Sequence, residues 1–139
     1  LGTPDAAFCL SEVKLGLIPA TISPYVIRAM GACAARRYFL TAEVFDATEA
    51  LRLNLLHAIL PDQDALQAEG ARLATLIARN GPAAITAAKR LVEEMDRPLD
   101  DDLIALSARR IADIRASEEG REGIAAFLEK RRPGWAEGR

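Results

Sequence analysis

The chain has 139 residues, 50% of them hydrophobic, and its 18 Lys and Arg against 20 Asp and Glu leave a formal net charge of -2. That is enough chain for one domain with a core of its own, and a charge so close to neutral gives no general pull toward nucleic acid. Cys9 and Cys33 have no second Cys or His nearby, which indicates neither a disulfide framework nor a metal cluster and fits a reduced, cytoplasmic setting. No run approaches the ~20 apolar residues that span a bilayer, so no membrane partner is expected.

The first residues, "LGTPDAAFCL", lack a Met and read as the interior of a longer protein. Their short apolar, strand-like run needs neighbouring strands that little in the remainder supplies. Further on, Ser23 as N-cap and Pro24 in the first turn predict a helix with Tyr25, Val26, Ala29 and Met30 on its apolar face, stopped by Gly31. A second helix is expected over 32–40, then a short extended piece at Val44 and Phe45. Asp46 predicts the cap of a helix through Leu53, with Glu49 completing a capping-box-like pair. Asn54 suits the left-handed position after that helix, and residues 56–60 read as a brief strand ended by Pro61.

From Asp62 the pattern Leu66, Ala71, Leu73, Ala74, Ile77 predicts a long helix up to "RNGP", with a fresh start at Pro82. The next helix carries Ile85, Ala88, Leu91, Val92 and Met95, and "DRPLDDD" ends it. A further helix over 99–116 has acidic residues at its positive end and Arg109, Arg110 and Arg115 toward its negative end, matching the macrodipole. Ser117 starts a last short helix that runs through Lys130. Across 82–116 the side chains of Ile85, Leu91, Leu103, Leu106 and Ile111 form apolar faces that a small fragment cannot all cover, which predicts self-association. The chain is expected to be mainly α.

Glu12 is the leading candidate for chemistry. Taken alone, a Glu in a loop is usually a solvated carboxylate. Here Phe8, Leu10, Val13, Leu15, Leu17 and Ile18 surround it in the sequence, and a carboxylate desolvated by such neighbours becomes a better general acid or base near neutral pH. Gly16, Pro19 and Ala20 predict a bend whose backbone N–H groups face a ligand.

The stretch "AFCLSEVKLGLIPATISPYVIRAMG" resembles the enoyl-CoA hydratase/isomerase (crotonase) superfamily, whose members carry a similar F-x-x-x-E-x-x-x-G-x-x-P pattern followed by a small-residue loop and a helix. "LTAEVFDATEALRLNLLHAIL" is similar to the family's next segment, and "SEEGREGIAAFLEKRRPGW" to its C-terminal signature. The wording around Glu12 stands nearest methylglutaconyl-CoA hydratase-like members. The resemblance implies the C-terminal part of a crotonase-like ββα-spiral fold: residues 1–24 a remnant of the spiral core with the catalytic-glutamate loop, 25–80 flanking helices and short strands, and 81–139 a helical oligomerisation region.

On that resemblance Glu12 corresponds to the second of two catalytic glutamates, which holds and activates water or protonates the α-carbon. Ala20 falls where many hydratases have a Gly whose N–H helps to position the water, and Leu17 and Ile18 belong to the water-positioning loop and acyl pocket. "TIS" replaces the family's more common Gly-rich continuation, a departure that bears on the acyl group taken. The first glutamate and the two N–H donors to the thioester oxygen, each worth on the order of 3 kcal/mol by analogy with other oxyanion holes, belong to the family's upstream half.

Phe127 and Lys130, three apart, would place an aromatic ring and a cation on one helical face. From spacing alone this is either a core Phe beside a solvated Lys or a pair suited to an adenine and a phosphate. The resemblance implies the latter, against the nucleotide of a neighbouring subunit's coenzyme A (CoA), with Arg131 and Arg132 adding positive field. His57 reads as a structural or strand-edge residue, consecutive Asp100, Asp101 and Asp102 as a dipole match, Cys9 as a packed thiol, and Arg36 and Arg37 as a solvated helix face.

The function implied is hydration of the α,β double bond of an enoyl-CoA thioester, a lyase reaction of fatty acid or branched-chain amino acid catabolism. It takes an acyl-CoA partner, no cofactor beyond the CoA of the substrate and no metal, in a homotrimer or dimer of trimers. The alternatives are another crotonase-type acyl-CoA isomerase or hydrolase, or a non-catalytic helical oligomerisation module.

Overall fold

A computed structural model describes residues 1–136 of the chain. The last three residues of the expected 81–139 region lie outside the described residues. Contacts group the chain into two compact units that divide between Ala71 and Arg72.

The first unit is built on α1, Ser23–Thr41, which buries Val26, Met30, Ala35 and Tyr38. Gly31 interrupts it with φ 77 and ψ 157, a conformation essentially confined to glycine, so the two expected helices appear as the two arms of one kinked element. Ser23 is not the N-cap. Its amide already donates to Pro19 O at 3.0 Å, which makes Ser23 helical, and its hydroxyl donates to Ala20 O at 2.9 Å; Ile22 takes the cap position.

The strand near the N-terminus does find a partner, contrary to expectation. β1, Ala7–Phe8, pairs antiparallel with β2, Phe45–Asp46, in the register Ala7 to Asp46 and Phe8 to Phe45. Val44 stays outside the ladder. The pairing stacks the Phe8 and Phe45 rings with centroids 5.6 Å apart, while Tyr38 meets Phe45 at 4.2 Å. Asp46 then caps α2, Ala47–Arg52, its side chain accepting from Glu49 N at 2.8 Å. The reciprocal half of the expected capping box is missing, because the Glu49 carboxylate is held by Tyr38 and Arg52 instead. Asn54 is left-handed at φ 62, as its position predicts. Residues 56–60 do not form a strand of their own; a single parallel bridge joins Ile59 to Gly2, with Gly2 N to Ala58 O at 3.1 Å and Leu60 N to Gly2 O at 2.9 Å. Gly2 lies so close to Leu56 that a Cβ would sit 2.8 Å from Leu56 Cδ1.

α3, Gln63–Ala78, begins where Asp62 accepts from Ala65 N at 2.8 Å and crosses the boundary between the units. The second unit packs α4, Pro82–Met95, with α5, Asp101–Ala116, and α6, Glu118–Leu128. Each of these helix starts has its acceptor, two of them local and one from a neighbouring helix. Asp100 accepts from Leu103 N at 2.7 Å and Ser117 Oγ from Gly120 N at 3.0 Å, while the first turn of α4 is capped from α6, with Glu119 accepting from Ala83 N at 2.9 Å and Ala84 N at 2.7 Å. Glu94 and Arg110 tie α4 to α5 by two bonds of 2.7 and 2.6 Å. Leu103, expected on an exposed face, is buried at 5% exposure; Leu91, Val92, Ile104 and Ile111 remain exposed.

Candidate functional site

Glu12 opens a 3-10 turn, Glu12–Leu15, that closes on Gly16 in the left-handed region at φ 70. Space is not why glycine stands there, since a Cβ would meet nothing within 4 Å; the backbone angle is. Lys14 N donates to Ser11 O at 3.0 Å, Gly16 N to Val13 O at 3.2 Å and Leu17 N to Glu12 O at 3.1 Å, so the main chain is fixed on both sides of the carboxylate. The Glu12 side chain is half-buried, and its Oε2 is buried with no hydrogen-bond partner. Among the described residues it is the buried side-chain oxygen left in that condition. A group of this kind calls for a donor from outside the chain, such as a water or a ligand.

The apolar surround expected around Glu12 is only half there. Phe8, Leu10 and Val13 are half-buried, whereas Leu15, Leu17 and Ile18 are 77%, 60% and 74% exposed. The left-handed turn at Gly16 directs the following residues outward, where no described side chain covers them. The Ala20 N–H, placed by the sequence reading at a water, instead donates to Ile18 O at 2.8 Å in a tight turn. Gly16 N is likewise spent inside the turn, so neither amide faces outward as a free donor.

Phe127 and Lys130 do not share a helical face. α6 ends at Leu128, Glu129 is its C-cap, and Lys130 follows in the left-handed region at φ 54. Lys130 N donates to Phe127 O at 3.2 Å and Arg131 N to Ala126 O at 3.0 Å, the paired bonds of a Schellman motif. Phe127 is 82% exposed, which removes the core-Phe alternative. Arg131 is not free positive field either. Glu122 grips it through Nη1 and Nη2 at 2.6 and 2.9 Å, and Glu129 accepts from its Nε at 2.6 Å.

The remaining candidates fall into place around these. His57 is exposed in a bend, not at a strand edge. Cys9 is exposed rather than packed, its thiol donating to Ala42 O at 3.4 Å. Asp100 caps α5, with Asp101 and Asp102 in its first turn. Among the described residues no group of three or more His, Cys, Asp or Glu able to hold a metal occurs, and none of their helices is long and apolar enough to cross a membrane.

One polar network escaped the sequence reading. Arg37, read there as solvated, donates to both Glu43 oxygens at 2.5 and 3.1 Å, and Glu49 accepts from Tyr38 Oη at 2.8 Å and from Arg52 Nε and Nη2 at 2.6 Å each. Hydrogen bonds from Arg52 and then Tyr38 hold the Glu49 carboxyl down at about 2, while burial, followed by the bond to Glu49, pushes the Tyr38 phenol up. Glu49 and Arg52, three apart on one helix, have the spacing of an ion pair, a signal that could have found that half of the network; the reach from α1 to α2 leaves no local signal. Its charges are matched internally, which makes it a brace rather than a reacting site.

A family model described as enoyl-CoA hydratase/isomerase matches residues 3–138. A 2,3-dehydroadipyl-CoA hydratase of Escherichia coli K12 is 31% identical over 93% of this chain and 51% of its own length. A mitochondrial Delta(3,5)-Delta(2,4)-dienoyl-CoA isomerase of Dictyostelium discoideum is 33% identical over 96% and 46%. The crystal structure of an enoyl-CoA hydratase from Shewanella pealeana superposes with a TM-score of 0.84 at 51% identity, over 94% of this chain and 48% of that one. The chain therefore belongs to the enoyl-CoA hydratase/isomerase family, with part of the crotonase fold. It spans about half the length of the curated relatives it matches.

Proposed function

We propose that the complete protein adds water across the α,β double bond of an enoyl-CoA thioester, with Glu12 as the proton-handling carboxylate. The observation that carries this reading is the buried, unpartnered Glu12 Oε2 on a turn fixed by Gly16. A carboxylate oxygen held in that way accepts a hydrogen bond from a water. As the water oxygen bonds to the β-carbon, Glu12 takes its proton, and a proton delivered to the α-carbon completes the addition. The exposed Leu17 and Ile18 and the adjoining Ala20 turn form one wall of the acyl pocket in this reading. At the other end of the chain, Phe127 offers a ring to the adenine and Lys130 an ammonium to the 3′-phosphate of CoA. The reaction draws on acid–base chemistry alone and needs no cofactor besides the CoA of the substrate.

A second reading keeps Glu12 and changes the outcome. An isomerase moves a proton between carbons through the same carboxylate without adding water, and the Dictyostelium relative named as an isomerase matches as well as the hydratase does. Incubating the complete protein with a 2-enoyl-CoA in 18O-labelled water separates the two. A product heavier by one labelled water supports hydration; a product of unchanged mass with a shifted double bond supports isomerisation, and no turnover of any enoyl-CoA contradicts both.

We also propose that residues 1–24 serve the glutamate loop, that 25–80 flank it, and that 81–139 assemble copies of the protein into a homotrimer or a dimer of trimers. The exposed apolar side chains of α4 and α5 support that assembly.

A further inference from the structure

The turn after α6 is held at several points, and one residue, Glu122, accepts three of the hydrogen bonds. Lys130 occupies a left-handed position that favours Gly or Asn, since a Cβ there crowds the backbone. The two Schellman hydrogen bonds fix the amide on each side of Lys130. Beyond it, Glu122 binds Arg131 through both carboxylate oxygens, at 2.6 and 2.9 Å, and also accepts from Gly134 N at 2.9 Å. Arg131 first, and the Gly134 N–H second, hold the Glu122 carboxyl down at about 2, so the clamp is charged throughout the neutral range. Next to Glu122, Gly123 leaves room for Trp135, whose ring atom Cη2 would lie 3.0 Å from a Cβ at that position. The backbone on both sides of Lys130 is therefore anchored to α6, while the Lys130 side chain stays exposed.

We propose that Glu122 is the positioning residue for Lys130: by pinning Arg131 and Gly134 it fixes the left-handed turn that presents the ammonium, and with it the discrimination between CoA and a CoA lacking the 3′-phosphate. The inference rests on the reading above that Lys130 meets that phosphate. Glu122 itself touches no ligand. Its removal should loosen the direction of the ammonium without deleting the charge, so the effect is confined to the phosphate-bearing ligand.

The test uses the complete protein as wild type, Glu122→Gln, Lys130→Ala and the double variant, each titrated calorimetrically with CoA and with dephospho-CoA. The ratio of the two affinities should fall by about 3- to 10-fold in Glu122→Gln, with dephospho-CoA binding unchanged, and further still in Lys130→Ala. In the Lys130→Ala background, Glu122→Gln should have no additional effect. A ratio lowered by Lys130→Ala but untouched by Glu122→Gln overturns the positioning role and leaves the phosphate contact standing. A ratio untouched by Lys130→Ala overturns the phosphate contact itself, and the positioning role with it. Equal weakening of both ligands by Glu122→Gln reduces Glu122 to a structural residue. Should Glu122→Gln fold poorly, Arg131→Gln opens the same clamp from its other side, keeps the Glu122 bond to Gly134, and is held to the same ratio.

Discussion

Gly31 sits inside α1 at φ 77 and ψ 157, with nothing within 4 Å of where a Cβ would be. The requirement is thus purely one of backbone, and Gly31→Ala should destabilise the chain by about 1 to 3 kcal/mol, read from urea unfolding. Unchanged stability would show that the kink relaxes into continuous helix. Gly31 was legible as a stop because a glycine inside an apolar helical pattern admits the conformations that interrupt it. Lys130 was not legible: spacing from Phe127 assumes a helix that continues, and Pro133 marks an end nearby without saying that the last helical residue is Leu128. Glu12 stands between the two. The residues around it could be read, but which of them are covered depends on chain folded over them, and a run of apolar letters does not say that Leu15, Leu17 and Ile18 turn outward.

Four helices start where a side chain caps them, and that part of the fold was the most readable. Asp46, Asp62, Asp100 and Ser117 each accept from an amide three residues on, a local contact set by local sequence. Asp100→Ala should cost about 1 kcal/mol, measured as a lowered urea midpoint, because Leu103 N loses its acceptor in a half-covered position. No change would mean that water replaces the cap fully. The links between elements were hidden, since Tyr38 to Glu49 and Glu119 to the amides of Ala83 and Ala84 join residues far apart in sequence. Those links make stability depend on acid. Glu49 and Glu122 both fall from an ordinary 4.5 to about 2 in the folded chain, so their contribution is complete above pH 4.5 and is lost as pH drops from there toward 2. The melting temperature should decline across that window, less steeply in Glu49→Gln and Glu122→Gln, and high salt should shrink the difference because these pairs face solvent. An identical decline in the variants would locate the acid sensitivity elsewhere.

At the scale of the whole molecule, the dominant feature is apolar surface left uncovered: Val92 and Leu99 on and beside α4 are 72% and 79% exposed, and Phe127 and Leu128 at the end of α6 are 82% and 72% exposed. Isolated apolar residues at a surface are ordinary, but this many in one short chain predicts association. Sedimentation of the 139-residue chain at high micromolar concentration should show species larger than a monomer, and a strictly monomeric boundary would contradict that expectation. The family was legible in three stretches of sequence in order, and the fold followed from it; the reaction was not, because relatives named as a hydratase and as an isomerase match this chain at similar identity. The central claim, that Glu12 handles the proton, is met most directly by one measurement: crotonyl-CoA hydration by the complete protein with and without Glu12→Gln, alongside CoA affinity for both. Turnover should fall 100-fold or more, on the order expected for loss of a general acid or base, while CoA binding is retained. Hydration by Glu12→Gln within about twofold of wild type, a difference too small for loss of such a group, would contradict the account.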